Sequence, residues 1–117
     1  MTDNLYYYKA EVVSVYDGDT ITVDIDLGFR AWLKKEKIRL YRINAPEVRG
    51  SEREEGLKSR DFLRSQILDK EIVLQTIRDR QGKYGRYLAE VWLEQGTKWI
   101  NINDLMVTQG MAHYQDY

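Results

Sequence analysis

The chain has 117 residues, enough for one domain to bury a single core without disulfide or metal staples, and its 43% hydrophobic and 32% charged residues argue for a folded globular protein rather than a disordered one. A formal net charge of -1 excludes an overall basic footprint for nucleic acid, so any polyanion has to be held by a local cluster. There is no cysteine for a disulfide or thiolate metal site, no apolar run of membrane-spanning length and no signal-peptide pattern at the start; the expectation is one cytoplasmic domain over residues 1–117, monomeric and without a membrane partner, with secretion from a longer precursor as the alternative.

Residues 6–15, rich in aromatic and β-branched side chains, predict a first strand. It runs into Asp17-Gly-Asp19, a turn signal in which Gly18 can take positive φ. Residues 20–27 then alternate, with Ile21, Val23, Ile25 and Leu27 on one face and Thr20, Thr22, Asp24 and Asp26 on the other. After a break at Gly28, residues 29–37 read as a loop or strand extension and residues 38–43 as a third strand. Leu40 and Ile43 fall on opposite sides of it, so both faces should be covered, and Arg39 then needs a partner or a ligand. Pro46, the single proline, takes the chain out of the sheet between Asn44 and Glu47 at a fixed angle.

Ser51-Glu-Arg-Glu54 has the form of a capping box and predicts a helix over residues 52–68, with Leu57, Leu63, Ile67 and Leu68 on its packed side and Gly56 weakening its first turn. Its charged residues read as a solvated face. Strands are expected next at 71–77 and 86–93, with a basic, glycine-punctuated connection between them and a short addition at 98–100. Asn103 is the expected N-cap of a short helix closed by Gly110 as its C′ residue, and residues 113–117 carry no clear pattern. The whole is mainly β with helices (α+β): a five-stranded barrel of the oligonucleotide/oligosaccharide-binding (OB) type, with a helix after strand 3 and a short C-terminal helix.

Three separated elements carry polar residues that a barrel does not need in order to fold. Asp19 follows the first turn; Arg39, Asn44 and Glu47 belong to the third strand and its exit; Lys83-Tyr-Gly-Arg86 opens the fifth. Each alone has an ordinary reading as a turn, a polar strand exit or a solvated hairpin tip. Their order and combination carry the information. Val15-Tyr-Asp-Gly-Asp-Thr-Ile, Arg39-Leu-Tyr-Arg-Ile-Asn-Ala-Pro-Glu47, Asp79-Arg-Gln-Gly-Lys-Tyr-Gly-Arg-Tyr-Leu-Ala89 and the stretch from Asn103 to Ala112 together resemble the staphylococcal nuclease-like (thermonuclease) family, calcium-dependent phosphodiesterases on an OB barrel.

That resemblance spans nearly the whole chain and implies a calcium-dependent endonuclease acting on DNA or RNA. It implies that Asp19 ligates Ca2+, that Asn44 stands where the family has its second carboxylate and that Ala45 offers a backbone carbonyl. Glu47 falls on the proposed general base, and Arg39 and Arg86 on the two arginines that grip the phosphate. Lys83 and Tyr84 lie at the rim, near a terminal phosphate of the substrate, while Tyr114 and Tyr117 are nearest to the two base-packing tyrosines, with core filling or a tail as the plain alternative. The chemistry suits this division: forked guanidinium donors match the charge gathered on a phosphodiester under attack better than a lysine does. The departure is Asn44. One anion fewer beside a divalent ion weakens the site by on the order of 10²-fold or more unless another carboxylate compensates, Asp17 and Glu52 being nearest in sequence. A rival reading arises from it, a binding module of the same fold that grasps nucleic acid or protein without cutting.

Overall fold

A computed structural model of the chain describes residues 6–81 and 86–115. Strands β1 (Tyr6–Asp17), β2 (Thr20–Gly28) and β3 (Ala31–Leu40) form an antiparallel meander, and the free edge of β1 pairs with β5 (Glu71–Gln81), which pairs with β6 (Tyr87–Gln95). The end of β3 then lies parallel to the start of β6, Ile38 opposite Tyr87 and Leu40 opposite Ala89, and this pairing closes five strands into the barrel. Closure covers the outer edge of β3 at residues 38–40, while the part of β3 before it pairs with β2 alone. A further strand, β7 (Lys98–Asn101), extends β6 as a hairpin, and two short strands, β4 (Ile43–Asn44) and β8 (His113–Tyr114), pair beside the barrel.

Inward-facing Val12, Val15, Ile21, Ile38, Leu40, Leu74 and Val91 fill the barrel. Helices α1 (Arg53–Ile67) and α2 (Ile102–Thr108) pack onto it through Leu63, Ile67, Ile102 and Met106, all fully buried. Among the described residues no helix is long and apolar enough to cross a membrane. The alternation expected in β2 holds for Ile21, Val23 and Ile25, but Leu27 is exposed. There β2 and β3 have run past the barrel to a two-residue turn, Phe29-Arg30, with both residues at positive φ as a twisted hairpin favours.

Four local expectations are corrected. The third strand stops at Leu40, and Arg42, at φ 71, turns the chain before β4; Arg39 Nη1 holds that turn by donating to the carbonyls of Leu40 and Ile43, each at 2.9 Å. The capping box does not form: residues Gly50–Glu52 make a 3₁₀ turn, Glu52 is the N-cap of α1 without a side-chain cap, and its Oε1 instead accepts the Glu47 N–H at 3.0 Å. The N-cap of α2 is Asn101, whose Oδ1 accepts from the Asp104 N–H at 2.8 Å, and not Asn103. Asn103 is fully buried, accepting from the Val91 N–H and donating to the carbonyls of Tyr41 and Ala89, so it pins α2 to β6 and to the turn after β3. Gly18, finally, is absent from the positive-φ residues; it is needed for space, because Ala45 and Ser59 crowd it.

Candidate active site

Two bulges in β1 build one wall. Register slips between Val12 and Ser14 and again between Val15 and Asp17, so the inward phase moves from Ala10 and Val12 to Val15 and Asp17. A bulge inserts an extra residue and re-aims the side chains beyond it. Asp17 is therefore carried to the buried side, where its Oδ1 accepts the Asp19 N–H at 3.0 Å and closes the turn. Asp19 is equally buried; its Oδ1 accepts from the Thr20 hydroxyl at 3.2 Å and its Oδ2 from the Ala45 N–H at 2.8 Å.

That last bond ties the turn to the exit from β4, and Gly18 permits the approach. A Cβ there would stand 2.7 Å from the Cβ of Ala45 and 2.9 Å from that of Ser59 on α1, closer than carbon atoms can sit. Gly56 does the same for Glu47: a Cβ on Gly56 would overlap the Glu47 carbonyl and lie 2.8 Å from the Val48 nitrogen. The β1–β2 turn, the strand exit and the first turns of α1 are thus locked against one another at glycines.

Arg39, 8% exposed, lies between the walls. Both edges of β3 are paired here, with β2 and β6, and the Arg39 side chain is held between Asp19 and the turn after β3. Its Nη1 is 3.4 Å from Asp19 Oδ2, and its Nη2 donates to Asn44 Oδ1 at 3.3 Å. Arg86 enters from the start of β6, its Nη1 donating to the Thr20 hydroxyl at 3.4 Å. Asp17, Asp19, Arg39, Asn44, Glu47 and Arg86 all line one open groove of about 1360 Å³. Burial beside Asp19 pushes the Asp17 carboxyl up from 3.8 to about 7, with the charge of Asp19 as the next cause and Glu47 a smaller one.

The groove therefore gathers Asp19, Arg39, Asn44, Glu47 and Arg86 from three separate stretches, with Ala45 contributing its N–H to Asp19. Tyr114 is elsewhere. Its hydroxyl donates to Asp104 Oδ1 at 2.9 Å and the Arg42 guanidinium lies 5.7 Å above its ring, so β8 uses it to hold the turn after β3. Lys83, Tyr84 and Tyr117 lie outside the described residues. Three arginines expected on a solvated helix face, Arg53, Arg60 and Arg64, line the groove as well, together with Arg49. The spacing of 53, 60 and 64 on one helical stripe was the available signal.

The donors offered to a metal are oxygens of Asp17, Asp19 and Asn44, which suit calcium in kind. The Asp17 carboxyl is pushed up first by burial and then by the charge of Asp19, and a divalent cation beside the pair would favour its ionised form. In number the set is short: among the described residues no three His, Cys, Asp or Glu side chains gather into a metal-holding group, and Arg39 spans the gap between Asp19 and Asn44.

The family described as staphylococcal nuclease homologue matches residues 37–117. The chain belongs to this family. Relatives include a thermonuclease of Staphylococcus hyicus, 27% identical over 92% of this chain and 59% of its own, and Protein ParB of Escherichia coli, 32% identical over 89% of this chain and 55% of its own. An uncharacterised protein of Methanocaldococcus jannaschii is 26% identical over 94% of this chain and 60% of its own. The chain thus spans little more than half the length of the curated relatives it matches. Family membership accounts for the closed barrel, and the family is a nuclease-like one.

Proposed function

We propose that the chain hydrolyses phosphodiester bonds of DNA or RNA in this groove, within the strand rather than only at its ends, with calcium as cofactor. The observation that carries the reading is the convergence of Glu47, Arg39 and Arg86 on one groove beside the buried Asp17–Asp19 pair. Arg39 and Arg86 present cationic, multi-donor groups to the phosphate, where negative charge builds as water attacks. Glu47 is exposed on the groove wall, its backbone clamped at Gly56 and at Glu52, so its carboxylate is positioned to take a proton from the water. The water oxygen bonds to phosphorus, Glu47 receives the proton, one phosphorus–oxygen bond to sugar breaks and the departing alkoxide takes a proton from solvent. Asp19, Asn44 and the Ala45 carbonyl are the groups that would hold a calcium ion, which would supply Lewis acidity and charge. Lys83, Tyr84 and Tyr117 keep the substrate-binding roles that the resemblance assigns them.

The test is cleavage of labelled single-stranded DNA and RNA over a calcium titration, with a chelator control and Glu47→Gln in parallel. Chelator-sensitive cutting that drops by roughly two to four orders of magnitude in the variant is the expected result. Equal rates for variant and parent would remove Glu47 from the mechanism.

A second reading is favoured by one specific contact. Arg39 bridges Asp19 and the neutral Asn44, which offsets a charge that a metal would otherwise meet. On that basis the groove binds nucleic acid without cutting it, and binding with no cleavage at any calcium concentration is its signature.

A further inference from the structure

The groove does not end at the reaction centre. Its three carboxylates, Asp17, Asp19 and Glu47, come from the β1–β2 turn and the exit from β4. From α1, Arg53, Leu57, Arg60 and Arg64 line the same groove, and no acidic residue of the helix lines it. These positions, spaced by four, three and four, form a single stripe on the helix. The stripe is about 16 Å long at 1.5 Å per residue, enough to lie along several phosphates of one strand.

Each end of the stripe is defined. Arg64 Nη2 donates to the Val15 carbonyl at 3.3 Å, which draws the far end of α1 over β1. At the near end the side chains of Arg53 and of neighbouring Arg49 have no hydrogen-bond or ion-pair partner among the described residues. Arg60 is paired with Asp61, but that carboxylate is 63% exposed and competes weakly with a phosphate. Tyr16, next to Val15 on β1, lines the same groove with half its surface open, a ring on which a base can stack. Arginines in file with an aromatic platform in the same groove suit an unpaired strand, whose bases are accessible while its phosphates track the charges. With a net charge of only -1 over the whole chain, this is a local concentration of positive charge and not a general one.

We propose that α1 and β1 form a binding track for single-stranded nucleic acid leading away from the reaction centre, with Arg53, Arg60 and Arg64 on phosphates of one strand and Tyr16 against a base. The proposal rests on the groove being a phosphodiester site, and it adds the direction and length of strand that the site reads.

The experiment is equilibrium binding of fluorescein-labelled 4- and 16-nucleotide single strands to the full chain in chelator, over a salt series, for the parent, the double variant Arg53→Gln/Arg60→Gln and Lys58→Gln, an exposed helix cation that does not line the groove. The parent is expected to bind the longer strand on the order of tenfold tighter than the shorter, and the double variant to lose that advantage, with a log–log salt slope shallower by about 1.4, or ~0.7 for each phosphate no longer neutralised. Lys58→Gln is expected to match the parent. An unchanged slope in the double variant, an equal loss for both strand lengths, or the same loss in Lys58→Gln would overturn the track. A 16-base-pair duplex bound as tightly as the strand would overturn its single-stranded occupant. Arginine-dependent binding without cleavage at any calcium concentration keeps the track and removes the nuclease; cleavage with an arginine-independent slope does the reverse.

Discussion

Gly56 and the backbone of Glu47 are in direct contact: the first turn of α1 comes so close to the strand exit that a Cβ on Gly56 would overlap the Glu47 carbonyl. A helix-interior glycine ordinarily costs about 1 kcal/mol relative to alanine. Here the gain in propensity is opposed by a main-chain collision, and overpacking of that kind typically costs roughly 1–3 kcal/mol, or more where backbone must move. Gly56→Ala is therefore expected to melt lower than the parent and to lose cleavage beyond what the lost stability explains, because the side chain displaced is that of Glu47. A higher melting temperature would show that α1 can shift without strain.

Asp17 sets a pH dependence with a definite sign. In the folded chain its carboxyl keeps its proton up to about pH 7, whereas the unfolded chain releases it near the ordinary value of 3.8. Between those values the folded state binds more protons, so stability falls as pH rises through that window and levels off above it, by at most on the order of 4 kcal/mol. Asp17→Asn keeps an oxygen to accept the Asp19 N–H and removes the titration. Denaturant melts in chelator at pH 5 and pH 8 should show a smaller loss in the variant, which should also be the more stable of the two at pH 8; parallel losses would contradict the assignment.

Restoring a carboxylate at position 44 tests the charge deficit. Asn44→Asp adds an anion beside Asp19, worth up to about 10²-fold in affinity for a divalent ion in a partly exposed site. Arg39 already donates to Asn44 and would hold part of the new charge, so the expected rise in calcium affinity by calorimetry is roughly between tenfold and a hundredfold. An unchanged affinity would place calcium away from residue 44.

Arg42 supports the site from behind. It reaches Glu90 through Nε at 2.5 Å and Nη2 at 2.8 Å, and Asp104 at 3.0 Å, from a left-handed backbone conformation at φ 71. These two carboxylates hold its guanidinium firmly charged. Arg42→Met retains the backbone strain and leaves Glu90, only 10% exposed, with Asn101 as a remaining donor. A loss of about 2 kcal/mol is expected, below the usual figure for a buried pair because Arg42 is itself 36% exposed and screened. Since Arg42 lies outside the groove, cleavage by the variant should match the parent well below its melting temperature.

Features written in short stretches were legible in the amino-acid order alone: the strand periodicity of Ile21, Val23 and Ile25, the helix carrying Leu63 and Ile67, the C′ glycine at 110, and the motifs holding Asp19, Arg39, Asn44, Glu47 and Arg86. Which residues stand opposite one another was settled only by the folded arrangement. Ser51 has the right spacing for a cap, yet Glu52 is drawn to the Glu47 N–H instead. Asn103 satisfies three backbone groups of β6 and the turn after β3, leaving the cap to Asn101. Asp17 becomes a buried acid through bulges in β1 that no local pattern announces, and Arg53, Arg60 and Arg64 become groove residues because α1 is anchored at Gly18, Gly56 and Val15. Periodicity and turn chemistry act over a few residues of one chain segment, whereas burial, charge coupling and close approach depend on segments that folding brings together from tens of residues apart.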